Sequence, residues 1–295
     1  MTGSDHESSR WTTYLRPYPG PPADPEAFRE RMAHPSFLRA AAYDPVWVHH
    51  NLMGPNSLWL MEGLSQVAEL GPGGRILDLG CGSAITSIFL ARELGVEVWA
   101  ADLWINPSAN WARVQEAGMS DRVHPLEVEA HRLPFPHGYF DAVVSVDAYH
   151  YFGTDVRYLS YLAQFVRAGG VIGIVVPANS VDPDDRPDDV TGPGGGEFGA
   201  DWFTFRSAAW WERHWRRTRG VEVERAEMVP DGRELWWRYQ EADAAWTGQA
   251  PAEGGDGPLL VSEQGQTLGF ARVVARRGRE VPLVFGPDRY RTRLA

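Results

Sequence analysis

The chain has 295 residues, 43% hydrophobic and 23% charged, a composition that supports a buried core and excludes disorder as the global state. Its formal net charge of -11 provides no basic field for a nucleic-acid backbone as main partner, and its single cysteine excludes an internal disulfide. The N-terminus is polar, with no apolar core of a secretory signal, and no apolar run approaches the roughly 18 residues that span a bilayer; a cytoplasmic protein without membrane association is expected.

Residues 1 to 25, rich in Ser, Pro and Gly, read as a flexible arm. Residues 26 to 70 read as an N-terminal helical cap with short helices over Pro25–Met32 and Ser36–Ala42. A longer helix follows over Asn56–Leu70, where Leu58, Met61, Leu64, Val67 and Ala68 recur at helical spacing. Gly71-Pro72-Gly73-Gly74 ends it.

From there to the C-terminus one domain is expected, residues 71 to 295. Strands are predicted over Arg75–Leu79, Val96–Ala101, Arg122–Val128, Phe140–Val146 and Val171–Val176. Helices alternate with them over Ala84–Leu94, Pro107–Ala117 and Asp155–Val166, the last ended by Gly169-Gly170. Near-continuous apolar strands alternating with helices imply a parallel sheet covered on both faces. Ala178 to Ala200 is a long loop carrying Asp182, Asp184, Asp185, Asp188 and Asp189; its Pro and Gly content reads as a solvated segment, and no metal site is expected. A Trp-rich helix (Ser207–Arg217), a strand (Val221–Val229), a helix (Arg233–Trp246), a second Gly/Pro-rich loop and a final strand (Leu268–Ala275) complete the chain.

The turn Asp78-Leu79-Gly80-Cys81-Gly82-Ser83-Ala84 between the first strand and its helix carries the chemistry. Glycines there let a ligand approach the backbone, and the helix start would aim N–H groups at it. A dinucleotide fingerprint would place a third Gly where Ile85 stands, and no Gly-Lys-Ser/Thr ending marks a phosphate cradle. The acid Asp78 at the strand tip suits a ligand with an ammonium group better than one with a pyrophosphate.

With Asp78 in front, Arg75-Ile76-Leu77-Asp78-Leu79-Gly80-Cys81-Gly82 resembles the first motif of the class I S-adenosylmethionine-dependent methyltransferases, with Ala84 where many members carry Gly. The wider context resembles a bacterial small-molecule branch of that family. Asp102, ending the second strand, matches the acid that holds both ribose hydroxyls. Glu129-Ala130-His131-Arg132-Leu133-Pro134-Phe135 is similar to the segment bordering the adenine, with Glu for the family's Asp.

The resemblance implies a Rossmann-like α/β fold: a seven-stranded, mostly parallel sheet with helices on both faces and an antiparallel last strand. It implies S-adenosyl-L-methionine as cofactor and Asp78, Gly80, Cys81, Gly82, Asp102, Leu103, Glu129, Ala130, His131 and Asp147 as its binding residues. The implied activity is methyl transfer to an O, N or C nucleophile of a small-molecule metabolite or natural-product intermediate. The alternative is a non-methylating enzyme on the same fold, a cyclase releasing methylthioadenosine or a pericyclic catalyst.

The acceptor is expected beyond the carboxyl end of the fourth strand. There His150 is the candidate general base, with Tyr149 and Tyr151 orienting the acceptor. Tyr43, Trp47, Asn51 and Asn56 of the cap are expected to face the site. Trp202, Phe203, Trp210 and Trp211 are expected to close it from the Trp-rich acceptor-side insertions (about 178–217 and 233–257).

Overall fold

Runs such as Ala142-Val143-Val144 and Val171-Ile172-Gly173-Ile174-Val175-Val176 can bury both faces of a strand only in the middle of a covered sheet, and they occupy that position. The computed structural model describes residues 20–182, 201–262 and 267–278. Seven strands, β1 (Arg75–Leu79), β2 (Glu97–Asp102), β3 (Val123–Glu127), β4 (Phe140–Val146), β5 (Val166–Asn179), β6 (Val221–Met228) and β7 (Leu268–Arg277), form one sheet in the order β3-β2-β1-β4-β5-β7-β6. Pairings from β3 to β5 are parallel; β7 inserts antiparallel between β5 and β6. The reversal of strand order beside β1 leaves a crevice at the carboxyl ends of β1 and β4, where open α/β sheets bind ligands.

Helices cover both faces. The N-terminal ones are α1 (Pro25–Met32), α2 (Pro45–Asn51) and α3 (Ser57–Val67); the crossovers carry α4 (Ile85–Leu94), α5 (Pro107–Glu116) and α6 (Tyr158–Leu162). The second half adds α7 (Ala208–Trp215), α8 (Gly232–Thr247) and α9 (Gly257–Ser262). Alternation along the strands sorts the core into two layers. Ile76, Val144 and Val175 meet Leu64, Ile88 and Phe89 on one face, whereas Leu77, Val143 and Ile174 meet Leu159, Trp211 and Trp215 on the other.

Four segments differ from the sequence expectation. Helix α2 was not predicted; Pro45 starts it and the Asp44 carboxylate caps it by accepting from the Trp47 N–H at 2.8 Å. Of Ser36–Ala42 only a 3-10 turn at Ala40–Ala42 forms. The helix expected over Asp155–Val166 is reduced to α6 and a 3-10 turn at Ala163–Phe165, because Gly169-Gly170 lies inside β5 rather than after a helix. The β4–β5 register shifts there, and Gly170 abuts the Asp141 carbonyl so closely that only glycine fits, the signature of a bulge. The second Gly/Pro-rich loop also contains α9. The acids from Asp184 to Asp189 and residues 1–19 of the expected arm (1–25) lie outside the described residues; at the end of that arm Ala23 and Asp24 are held, their N–H groups donating to the Trp246 and Ala245 carbonyls (3.1 and 2.8 Å). Among the described residues no helix is long and apolar enough to cross a membrane.

Candidate active site

The crevice holds a cavity of about 340 Å³. Its wall follows the sheet edge: Val128 to His131 after β3, Ala101 to Trp104 at the end of β2, Leu79 to Ser83 after β1, and Val146 to Ala148 with Tyr151 and Phe152 after β4. The segment between α2 and α3, with Met53, Gly54 and Pro55, crosses it as a strap.

The glycine loop is shaped by left-handed residues. Gly80 (φ +74°), Gly82 (φ +52°) and Ala84 (φ 61°) turn the chain from β1 into α4. A Cβ on Gly80 would fall inside 3.0 Å of the Ala148 Cβ, and one on Gly82 would lie 2.9 Å from the Met53 sulfur, so the loop packs where side chains have no room. Its N–H groups do not point outward as a phosphate cradle needs. Gly80 and Cys81 donate to the Ala101 carbonyl (2.8 and 3.1 Å), Gly82 to Asp102 Oδ2 (2.8 Å) and Ala84 to the Cys81 carbonyl (2.9 Å). These inward bonds within the loop strengthen the case against a pyrophosphate.

Asp78 is buried just behind this loop. Its Oδ2 accepts from Thr86 (2.6 Å) and Ser87 (2.7 Å), while Oδ1 is buried with no partner. Desolvation pushes its carboxyl up to about 6, against those two hydroxyls, so it is mainly ionised at pH 7. Asp78 does not itself line the cavity.

Asp102 does, and its bonds are largely committed. Oδ1 accepts from the N–H groups of Trp104 (2.8 Å) and Ile105 (3.0 Å), and Oδ2 from that of Gly82. Burial raises its pKa, with those N–H groups opposing. Asp102 thus ties the glycine loop to the segment after β2 while lining the cavity where the ribose hydroxyls are expected. Glu129 likewise turns to its own segment: Oε1 accepts from the His131 N–H (3.0 Å) and lies 2.6 Å from its Nδ1. Burial opposes ionisation, but the His131 bonds hold the Glu129 carboxyl below its ordinary value. Ala130 is fixed by Tyr158, whose hydroxyl donates to its carbonyl at 3.1 Å. Leu103, Ala130 and His131 all line the cavity.

After β4 the expectation needs correcting. Asp147, in the left-handed region (φ 58°), lines the cavity, and so does Tyr151. Tyr149 and His150 do not. The 3-10 turn over Tyr149–Tyr151 rotates successive side chains by about 120° and drives the first two into the core. Tyr149 packs among Phe152, Tyr158, Trp211 and Trp215, and His150 against Phe205 and Tyr151. Burial lowers the His150 pKa to about 3, leaving a neutral imidazole without contact to the cavity, unsuited to act as general base.

The cap and Trp assignments separate as well. Asn51 reaches the cavity, but Tyr43 is buried elsewhere with its hydroxyl donating to Glu93 at 3.0 Å, Trp47 packs at the edge of the core, and Asn56 caps α3. Trp210 stacks on His214 and Trp211 is buried beside Tyr149, both away from the cavity; Phe203 is half-buried and does not line it. The Trp202 side chain lies outside the described residues. Asp182, expected in a solvated loop, is buried, accepting from the Ser207 N–H (2.8 Å) and Arg213 (3.3 Å).

Sequence reasoning missed Met53, Gly54, Pro55, Ser57, Trp104 and Phe152 in the lining. Trp104 had a signal, standing two residues beyond the acid of β2; the strap residues had none, since their place depends on tertiary packing. A polar latch holds the strap: Arg113 Nε donates to Asn51 Oδ1 (2.6 Å) and its terminal nitrogen to Asn110 Oδ1 (3.0 Å). Asn110 donates in turn to the Gly82 carbonyl (2.9 Å), and the Ser83 hydroxyl to the Asn51 carbonyl.

A family model described as a methyltransferase domain matches residues 76–170, the stretch that builds this glycine loop, both acids and β4. These residues are a class I methyltransferase domain. The chain is similar to the 27-O-demethylrifamycin SV methyltransferase of Amycolatopsis mediterranei, 27% identical over 143 residues that cover 44% of this chain and 52% of that protein. It is 34% identical over 91 residues to the demethylmenaquinone methyltransferase of Mycolicibacterium gilvum, covering 31% and 36%. The chain thus spans about half or less of the length of the curated relatives it matches. Geranyl diphosphate C-methyltransferase from Streptomyces coelicolor A3(2) shares the fold of the methyltransferase domain and its surroundings, with a TM-score of 0.62 at 16% identity, covering 94% of this chain and 100% of that one.

Proposed function

We propose that the protein is an S-adenosylmethionine-dependent methyltransferase acting on an O, N or C nucleophile of a small molecule. The observation that carries this reading is the cavity edge itself. Its glycine loop turns N–H groups inward, an acid that lines the cavity follows β2, and the tip of β4 faces the loop within one crevice. That arrangement accepts a ligand with hydroxyls and positive charge better than a phosphate ester. The residues fit the cofactor as follows: Glu129 to His131 border the adenine, Asp102 takes the ribose hydroxyls, and Gly80 to Gly82 give close backbone approach to the amino-acid end, with Asp78 behind them supplying negative charge. When bound, the cofactor supplies an electrophilic methyl group. The protein's own contribution is positioning and exclusion of water: the strap from Asn51 to Pro55 and the aromatic pair Trp104 and Tyr151 enclose the reacting end.

Isothermal titration tests the reading. S-adenosylmethionine and S-adenosylhomocysteine should both bind, and Asp102→Ala should weaken both about tenfold or more through the lost charge-assisted bond and the three N–H groups left without their acceptor. Absence of binding by the wild-type protein would refute it. Mass spectrometry of the cofactor after turnover should show S-adenosylhomocysteine; methylthioadenosine, or unchanged cofactor beside a rearranged substrate, would reassign the reaction.

A further inference from the structure

The family resemblance implies Asp147 as a cofactor residue, but the cofactor fit proposed above engages only the β1, β2 and β3 side of the cavity and makes no use of this acid after β4. Adjacent strands lie about 4.8 Å apart, and β1 stands between β2 and β4, so Asp147 sits about 10 Å along the sheet edge from Asp102. A group at the ribose position does not reach it. Asp147 is also built into the wall rather than left on a free loop. It holds a left-handed backbone conformation, its N–H donates to the Val175 carbonyl at 2.8 Å, and a Cβ on Gly54 of the strap would lie 2.5 Å from its Oδ2. The strap therefore passes this carboxylate at glycine distance.

The charge around Asp147 is negative. Asp256, in the connection between α8 and α9, adds repulsion; it is itself held by the Trp236 indole N–H at 3.0 Å. The other ionisable carboxylates of the lining are Asp102 and Glu129, with His131 engaged by Glu129; no Arg lines the cavity among the described residues, and the chain contains no Lys at all. Desolvation in the wall, with Asp256 behind it, pushes the Asp147 carboxyl up to about 8. Such a group gains most from a cation placed against it, because the cation restores the ionised form. Next to this acid the cavity mouth is apolar. Leu103, Trp104 and Tyr151 are 50%, 44% and 47% exposed, the two rings meet edge to face at 5.7 Å, and Phe152 continues the surface. Exposed aromatic faces beside a carboxylate attract both the apolar body and the positive nitrogen of a ligand.

We propose that Asp147 receives the basic nitrogen of the acceptor, and that the acceptor is an amine whose apolar body lies on Leu103, Trp104, Tyr151 and Phe152. This rests on the methyltransferase reading and adds the substrate class to it. An acceptor whose recognition element is a phosphate or carboxylate does not fit this wall.

The test uses the full-length protein saturated with S-adenosylhomocysteine. Binding of that compound checks the cofactor reading independently of the acceptor. 2-Phenylethylamine and octylamine are then titrated by calorimetry, each beside its matched alcohol and carboxylic acid. The amines should bind about tenfold or more tighter than the alcohols, and the acids weaker still. At pH 7 amine binding should also release a proton from Asp147, read as a dependence of the observed heat on the buffer's ionisation enthalpy. Asp147→Asn should reduce the amine-to-alcohol preference to within about threefold and abolish the proton release, while S-adenosylhomocysteine affinity stays within about threefold. The proposal is overturned if alcohol or acid binds as tightly as amine, or if none of the probes binds to the cofactor-loaded protein. It is equally overturned if Asp147→Asn weakens S-adenosylmethionine but not the amines, which would place the cofactor's own ammonium on this acid.

Discussion

Replacing Gly80 by Ala isolates the two demands that the loop makes on that position. The first is conformational: φ is +74°, and a residue with a Cβ costs about 1–2 kcal/mol in the left-handed region. The second is steric. The new methyl would approach the Ala148 Cβ inside 3.0 Å, against an optimum of about 3.5–4.0 Å, and overpacking of this kind costs about 1–3 kcal/mol. Gly80→Ala should therefore lose about 2–5 kcal/mol of stability in urea titration, partitioned by a double-mutant cycle with Ala148→Gly. The second change removes the atom in conflict and should restore about 1–3 kcal/mol in the Gly80→Ala background, while the conformational part persists. S-adenosylhomocysteine affinity should fall in the single variant and recover in part in the double. A coupling below about 0.5 kcal/mol would mean that the loop relaxes away from Ala148, and the argument that β4 and the loop are packed at glycine distance would fail.

Three other expectations follow from the same geometry. His150 is neutral when folded, with a pKa near 3, and ordinary when unfolded, so the unfolded state binds more protons as pH falls below about 6.5. Its contribution to stability is complete above that pH and declines below it by up to about 1.4 kcal/mol per unit; the wild-type protein should lose this increment relative to His150→Phe between pH 6.5 and 4.5, and parallel curves would refute the burial argument. The pH profile of turnover in His150→Phe should follow that of the wild-type protein, since the ring does not reach the cavity; loss of a limb near neutrality would restore His150 as base. Arg113→Ala should cut the latch between Asn51 and the glycine loop and raise the dissociation rate of S-adenosylhomocysteine about tenfold in stopped flow, with an unchanged rate showing that the strap does not retain the ligand.

Where one local pattern had one physical meaning, the sequence was explicit. β1 and β4 run over the expected residues, 75–79 and 140–146, because continuous apolar runs bounded by turns admit only a covered strand there. Gly169-Gly170 was ambiguous in kind. The same pair ends a helix or marks a strand bulge, and the β4–β5 register, a tertiary property, chooses the bulge. The Trp residues of the second half were legible as apolar area but not as a location. Trp211 and Trp215 close over Tyr149, whereas among the described residues the Trp that lines the cavity is the isolated Trp104.

The same distinction divides the site. Gly80, Gly82 and Asp102 sit where strand ends and a tight turn fix the backbone, so spacing alone located them. Beyond β4 the periodicity of two ends at Asp147, whose left-handed backbone resets the direction of everything after it. A 3-10 turn then repeats every three residues, and from sequence Tyr149 and Tyr151 are equivalent candidates. Packing breaks the tie: Gly153 leaves room for the Tyr149 ring against its backbone, which fixes Tyr149 inside, and the turn then carries Tyr151 around to the cavity. Asp102 shows the complementary limit. Its position was legible, but its bonds to the N–H groups of Gly82, Trp104 and Ile105 were not, because only the folded loop brings those groups within reach.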